Sequence, residues 1–377
     1  DLPKPYESES ASRSSSLVPQ PKNAELKMPN GFRINQFAEN FSQPRVMALA
    51  PNGDVFVADS VADKIIVLRD KNKDGKSDER FTFADGLNQP FGMAFQNGFL
   101  YVANTDTVVR FVYQNGQTKS AAEPEKIIDL PIEGYNQHWT RNITFSPDGS
   151  KLYVSVGSQS NADIEPTGRA AISEYDADGK NGRIYASGLR NPVGIAFNQT
   201  TKVLYTTVNE RDGLGDDLVP DYLTSVKENG FYGFPYSYLG QNIDPRRAKD
   251  VKGDVPDLVK NSIVPEVLFQ SHSAALGLLF YNGKAFPAEY QGDAFVAMHG
   301  SWNREKLTGY KIVRIRFKDG KPLENAYEDF VSGWLPDENS NKVWGRPVGL
   351  LVAADGSLLI TDDGAKKIWR VSHNNKN

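Results

Sequence analysis

Asn142-Ile-Thr-Phe-Ser-Pro-Asp-Gly149-Ser-Lys-Leu-Tyr-Val-Ser155 places two short β-prone runs on either side of an Asp-Gly pair. Asp-Gly or Asn-Gly between such runs signals a hairpin, because these residues tolerate the positive φ that a tight turn requires. The same pattern returns along the chain. Segment 46–59 turns at Asn52-Gly53, and segment 91–104 turns at Asn97-Gly98. Val193-Gly-Ile-Ala-Phe197 is followed by Val203-Leu-Tyr-Thr-Thr207, and Leu276-Gly-Leu-Leu-Phe-Tyr-Asn-Gly283 by Ala294-Phe-Val-Ala297. Val348-Gly-Leu-Leu-Val-Ala-Ala-Asp-Gly356-Ser-Leu-Leu-Ile-Thr-Asp362 completes the set of six. Several copies continue into a third strand, as in Lys64-Ile-Ile-Val-Leu68, Thr107-Val-Val-Arg-Phe-Val112, Tyr310-Lys-Ile-Val-Arg-Ile-Arg316 and Lys367-Ile-Trp-Arg-Val371.

Successive hairpins that gain a third strand are the strand order of a propeller blade. Gly53, Gly98 and Gly149 follow one another at roughly the 40–50 residues of known blade repeats. Later copies are further apart, so those blades carry long insertions, the largest over 212–264. The alternating strand Gly31-Phe-Arg-Ile-Asn-Gln-Phe37 precedes the first copy and is expected to pair with the strand at 367–371, closing the ring and removing an open edge. No long amphipathic helix pattern is present. The sequence predicts an all-β fold over 22–377: a six-bladed β-propeller with long loop insertions walling one face.

Composition narrows the chemistry. The 377 residues carry a formal net charge of −4 with scattered Lys and Arg, which is no footprint for nucleic acid. Zero cysteines exclude c-type haem attachment, thiolate-held iron–sulfur clusters, Cys zinc sites and a Cys nucleophile. No apolar run approaches the roughly 18 residues of a transmembrane segment. Residues 1–21, rich in Ser and Glu, are too polar to bury a core and read as a disordered N-terminal leader. It reads equally as a tether to a membrane anchor or as a frayed terminus.

Polar residues cluster where first strands begin. His138 and Arg141 precede the third copy, Arg190 and Asn191 the fourth, and Arg346 the sixth. In a closed ring these equivalent positions converge on the axis. Arginines around one histidine suit an anionic ligand with a general base, since guanidinium forks match carboxylates. The plainer reading is that each arginine ties its blade to the next through carbonyls. Asp70-Lys-Asn72-Lys-Asp74-Gly75-Lys-Ser-Asp78 has EF-hand-like oxygen spacing but Phe81 where the twelfth-position Glu belongs. Asp70, Asn72, Asp74 and Asp78 therefore form either a second, structural calcium loop or a plain hairpin turn.

Three motifs in order, His138-Trp-Thr-Arg-Asn, Gly188-Leu-Arg-Asn-Pro-(x)-Gly194 and His299-Gly-Ser-Trp-Asn-Arg304, resemble the soluble quinoprotein glucose/sorbosone dehydrogenases. The likeness is strongest to the sorbosone-dehydrogenase-like branch and spans the folded part. It implies pyrroloquinoline quinone (PQQ) and calcium held at the top of a six-bladed ring. His138 would be the base that takes the proton from a sugar C1 hydroxyl while hydride passes to the quinone. Arg190 would stabilise charge on the quinone oxygens, with Asn191 beside it, and Arg346 would pair a cofactor carboxylate. Arg141, Asp217, Arg304 and, by a looser match, Thr361 would complete the cofactor set. Glu210-Arg-Asp-Gly-Leu-Gly-Asp-Asp217 matches the calcium loop and suggests the backbone carbonyls of Asp212 and Gly213, although the family often has Gly-Pro there.

The resemblance further implies a sugar substrate, a separate soluble or membrane-linked electron acceptor, and a periplasmic or extracellular setting. Absence of any Gly-x-Gly-x-x-Gly argues against a nicotinamide cofactor. Two rival readings remain open: a calcium-dependent lactonase, disfavoured by basic first-strand positions, and a non-catalytic binding propeller.

Overall fold

The computed structural model describes residues 2–132, 138–253 and 256–374. Six four-stranded antiparallel sheets form the blades of a propeller. Their first strands are Pro44–Leu49, Met93–Gln96, Arg141–Phe145, Pro192–Phe197, Ala275–Phe280 and Pro347–Val352. In the first five blades each later strand is the next of its blade outward, and the third adds the short parallel strand Gly230–Phe231. The sixth is built from both ends of the chain, for Phe32–Glu39 pairs antiparallel with Lys367–His373. The ring closes as the sequence predicts.

The second strand of each blade is buried almost throughout, because each sheet is covered on both faces by its neighbours. Six hydrophobic clusters lie one between each pair of adjacent blades. Phe56, Leu100, Val154, Val296 and Ile360 are fully buried there. Each such side chain contributes about 1.5–3 kcal/mol. A seventh cluster plugs the axis with one residue from each blade in turn: Val46, Phe91, Trp139, Val193, Leu276 and Val348.

Close packing around that plug dictates local chemistry. A Cβ on Gly194 would lie 2.5 Å from the Leu276 carbonyl oxygen, and one on Gly349 would lie 2.3 Å from that of Arg45. The first strands bulge here, between Pro192 and Ile195 and between Pro347 and Leu350. A threonine hydroxyl fills each gap. Thr361 Oγ1 accepts from the Gly349 N–H at 2.7 Å and donates to the Arg45 carbonyl at 2.6 Å. Thr207 does the same between Gly194 and Leu276. Thr361 is thus a fully buried inter-blade tie, which corrects its reading as a cofactor-side hydroxyl.

The insertion after the fourth blade's third strand contributes two five-residue helices, Ala248–Lys252 and Pro256–Lys260. Among the described residues no helix is long and apolar enough to cross a membrane. The segment expected as a disordered leader runs across the rim of one face. Tyr6 N–H donates to the Leu214 carbonyl, Asp216 N–H to Ser8 Oγ, and Arg13 N–H to the Trp302 carbonyl. Ser16–Leu17 then pairs parallel with Lys342–Val343. Composition misjudges this stretch because backbone groups and hydroxyls, rather than buried apolar surface, make its contacts.

Candidate functional site

A cavity of about 340 Å³ opens on the same face, lined by His138, Arg190, Asn191, Asn209, Asp212, His272, Trp302 and Asn303 among others. Its residues come from the third, fourth and fifth blades. His138 Nδ1 lies 2.8 Å from the Ser158 carbonyl oxygen. A carbonyl only accepts, so the proton sits on Nδ1 and Nε2 keeps its lone pair. Burial, reinforced by the Arg190 charge, pushes the His138 pKa down to about 3. The ring is therefore neutral near pH 7.

Arg141 does not line this cavity. It is fully buried and donates to the carbonyls of His138 (2.7 Å), Thr140 (3.1 Å) and Pro131 (3.1 Å). It positions the His138 turn, the carbonyl-tying role weighed from sequence. Arg190 does line the cavity, but all five N–H groups are spent. They go to the Asn161 carbonyl and side chain, the Asn209 and Glu210 carbonyls, and Asp212 Oδ2. Asn191 Nδ2 donates to Asn209 Oδ1, and Asn209 in turn donates to the Ala275 carbonyl, so the amide orientation is fixed. That leaves Asn191 Oδ1 buried with no hydrogen-bond partner.

Asp212 is the electrostatic hub. Although burial alone would raise its pKa, Arg190 and then His272 hold it at about 2. Asn303 Nδ2 donates to its Oδ1 at 2.7 Å. His272 Nδ1 stands 3.5 Å from the same oxygen, and its Nε2 donates to the Gly215 carbonyl at 3.2 Å. Asp221 clamps two loops, accepting the Glu210 N–H at 2.8 Å and the Ala274 N–H at 2.7 Å. Burial raises its pKa to about 7.

Calcium at Asp212 does not fit this arrangement. The Asp212 carbonyl already accepts from Asn161 (3.0 Å) and Arg246 (2.9 Å), and its carboxylate faces a guanidinium and an amide N–H. Hard cations need oxygens, not N–H donors, turned toward them. Among the described residues no three His, Cys, Asp or Glu are grouped to hold a metal. Asp217 and Arg304 also lie off the cavity wall, paired with each other at 2.7 Å. The Asp70 loop closes on itself: Asp70 and Asp78 accept backbone N–H groups of Asp74, Gly75, Lys71 and Asn72.

A second polar group occupies the other side of the axis, from the first, fifth and sixth blades. Arg45 Nη2 pairs with Asp363 at 3.0 Å, and His299 Nε2 donates to Asp363 at 2.8 Å. Arg346 reaches the His299 and Gly300 carbonyls at 3.3 and 3.4 Å. The Arg45 guanidinium lies 5.1 Å above the Trp139 ring.

Sequence reading identified His138, Arg190, Asn191 and Asp212, which the fold brings together. It missed Asn161, Asn209, Asp221, His272, Trp302 and Asn303 as site residues, and Arg45 as the partner of Asp363. Trp302 and Asn303 sit inside the His299–Arg304 motif. Arg45 stands one residue before Val46, whereas Arg346 stands two before Val348 and Arg190 three before Val193, so its place in the repeat is offset.

The class defined here is a closed six-bladed propeller whose axial face holds a buried, neutral imidazole beside ion-paired carboxylates. The chain belongs to the TrAA12-like family, whose model matches residues 26–238 and 256–374. An uncharacterized protein of Borreliella burgdorferi is 31% identical over 359 residues, 92% of this chain and 90% of the relative. A pyrroloquinoline quinone-dependent pyranose dehydrogenase of Coprinopsis cinerea is 24% identical over 93% of this chain, which spans only 55% of that enzyme. The fold matches a Trichoderma reesei carbohydrate-active enzyme of family AA12 with TM-score 0.81 at 20% identity, covering 95% of this chain and 100% of the other. It also matches the holo PQQ domain of the Coprinopsis cinerea pyranose dehydrogenase with TM-score 0.79 at 21% identity, covering 96% and 100%.

Proposed function

We propose that the protein is a PQQ-dependent dehydrogenase that oxidises an aldose or sugar aldehyde and passes electrons to an external acceptor. The observation that carries this reading is His138, a neutral imidazole with Nδ1 locked on Ser158 and Nε2 available as an acceptor. Family membership and the Coprinopsis relative supply the cofactor class. The buried, unpartnered Asn191 Oδ1 beside the cavity supports a ligand that brings a donor to it. When bound, PQQ supplies the two-electron acceptor for the hydride leaving the sugar carbon.

The chain's own residues perform the rest. His138 Nε2 takes the hydroxyl proton as that hydride departs, so that oxidation of C1 is a balanced loss of one hydride and one proton, two electrons and two protons in all. Arg141 and Ser158 hold the imidazole in its tautomer and direction. Arg190 keeps Asp212 ionised and the 210–217 loop in place. Trp302, about half exposed on the cavity wall, offers a flat face for a sugar ring. No step is assigned to calcium, since the expected Asp212 carbonyl already accepts from Asn161 and Arg246.

The test is titration of the protein with PQQ, followed by dye reduction with a panel of aldoses. Saturable binding and sugar-dependent turnover support the reading. Absence of quinone binding at micromolar concentration removes it and favours the binding-propeller alternative.

A further inference from the structure

We propose that residues 6–18 form a strap that sets the sugar-facing wall of the cavity, with Arg13 as its positioning residue. The proposal deepens the sugar-oxidation reading and rests on it, because it names what holds Trp302 in place for the substrate.

Three loops from different parts of the ring meet this one segment. In the fourth blade, between its second and third strands, the Leu214 carbonyl accepts from Tyr6 N–H at 2.7 Å. The next two N–H groups, of Gly215 and Asp216, donate to Ser10 Oγ at 3.1 Å and Ser8 Oγ at 2.9 Å. In the fifth blade, the Trp302 carbonyl accepts from Arg13 N–H at 2.7 Å and the Glu305 carbonyl from Arg13 Nη1 at 2.5 Å. On the way to the sixth blade, the Asn339 carbonyl accepts from Arg13 Nη2. Arg13 thus joins the 305 and 339 turns with its guanidinium while its backbone holds Trp302.

Two of these loops carry cavity residues: Asp212 in the first, and Trp302 and Asn303 in the second. Trp302 is about half exposed, so its ring is aimed by the backbone that carries it more than by packing around it. That backbone is pinned on both sides of the strap's contact. The Ser301 carbonyl accepts from the Tyr310 hydroxyl at 2.6 Å, and Asn303 Nδ2 donates to Asp212 Oδ1 at 2.7 Å. Gly215 links the strap to another wall residue, since its carbonyl accepts from His272 Nε2 at 3.2 Å. The fit there is close: a Cβ on Gly215, where φ is +136°, would lie 3.1 Å from Ser8 Oγ. An aromatic face held at a fixed angle binds the ring of an aldopyranose more tightly than a mobile one, because a loop ordered in advance loses less freedom on binding.

The experiment compares the full chain as wild type, Arg13→Gln, which loses the guanidinium bonds, and Arg13→Pro, which also loses the N–H that holds Trp302. Three quantities are read: hydrogen exchange over 299–306 without ligand, PQQ affinity by calorimetry, and KM and kcat for an aldose by dye reduction. Both variants should exchange faster over 299–306, the proline more so. The aldose KM should rise by about tenfold in Arg13→Pro, the worth of one hydrogen bond, with kcat changed far less and PQQ affinity unchanged. Unchanged exchange in both variants overturns the strap, whatever the enzyme does. Faster exchange with unchanged KM, or an equal loss of PQQ affinity, overturns its role in positioning the sugar while sugar oxidation stands. If wild type holds PQQ yet oxidises no aldose, the sugar reading itself falls and takes the positioning role with it.

Discussion

His138 Nδ1 is held 2.8 Å from the Ser158 carbonyl oxygen, and this one contact decides which face of the imidazole can do chemistry. The acceptor is backbone, so the Ser158 side chain is secondary; its Oγ lies 3.1 Å away. His138→Ala is expected to lower turnover by about 10²–10⁴-fold, the usual worth of a general base. Ser158→Ala should stay within about tenfold of wild type, because the carbonyl remains. Steady-state dye reduction with both variants checks the pair.

Arg141 supports that histidine from below without touching the cavity. Arg141→Leu leaves three carbonyls without their buried donor and should lower unfolding free energy by about 2–5 kcal/mol. Urea denaturation measures this. The quinone affinity of the folded fraction should hold, whereas a selective loss of affinity with unchanged stability would restore the cofactor-binding role expected from sequence.

Gly194 and Gly349 are required by approach, not by turn geometry. Alanine at either brings Cβ to 2.5 or 2.3 Å from a neighbouring first-strand carbonyl, so the ring must expand at its narrowest circle. Each variant is expected to cost about 1–3 kcal/mol or more, as overpacked cores do. Thermal unfolding should show a lower Tm for both, and no change would mean the axis is looser than the structure shows.

Acid should destabilise the fold through two histidines. The folded pKa of His138 is about 3 and of His299 about 4, against about 6.5 in an unfolded chain. Between pH 6.5 and 4 the unfolded state binds more protons, so stability present above pH 6.5 is lost as pH falls. Asp221 works in the opposite sense. Its folded pKa of about 7 means stability present below about pH 4 is lost as pH rises through 7. Urea midpoints of wild type and His299→Gln from pH 7.5 to 4.5 separate these effects: the variant should show a shallower decline on the acid side.

Much of the fold was legible because propellers repeat. Asp148-Gly149 and its counterparts Gly53, Gly98 and Gly356 mark hairpins through positive φ, and Phe32–Glu39 carries the alternation of a closing strand. His138, Arg190, Asn191 and Asp212 were legible because equivalent first-strand and loop positions converge on an axis. Their partners were not. Nothing in one sequence says that Arg190 spends every donor on neighbouring loops, or that Arg141 faces carbonyls. Those facts depend on loops from different blades meeting in space. Residues 6–18 show the same limit, since their contacts with Leu214, Asp216 and Trp302 are made by backbone and hydroxyl groups that composition cannot score.

The most direct test of the central claim is rapid mixing of PQQ-loaded protein with an aldose deuterated at C1, followed by the quinone absorbance. The account predicts single-turnover loss of the quinone signal, slowed by deuterium and nearly abolished in His138→Ala. Retention of the quinone signal with every aldose, in protein shown to hold PQQ, would contradict it.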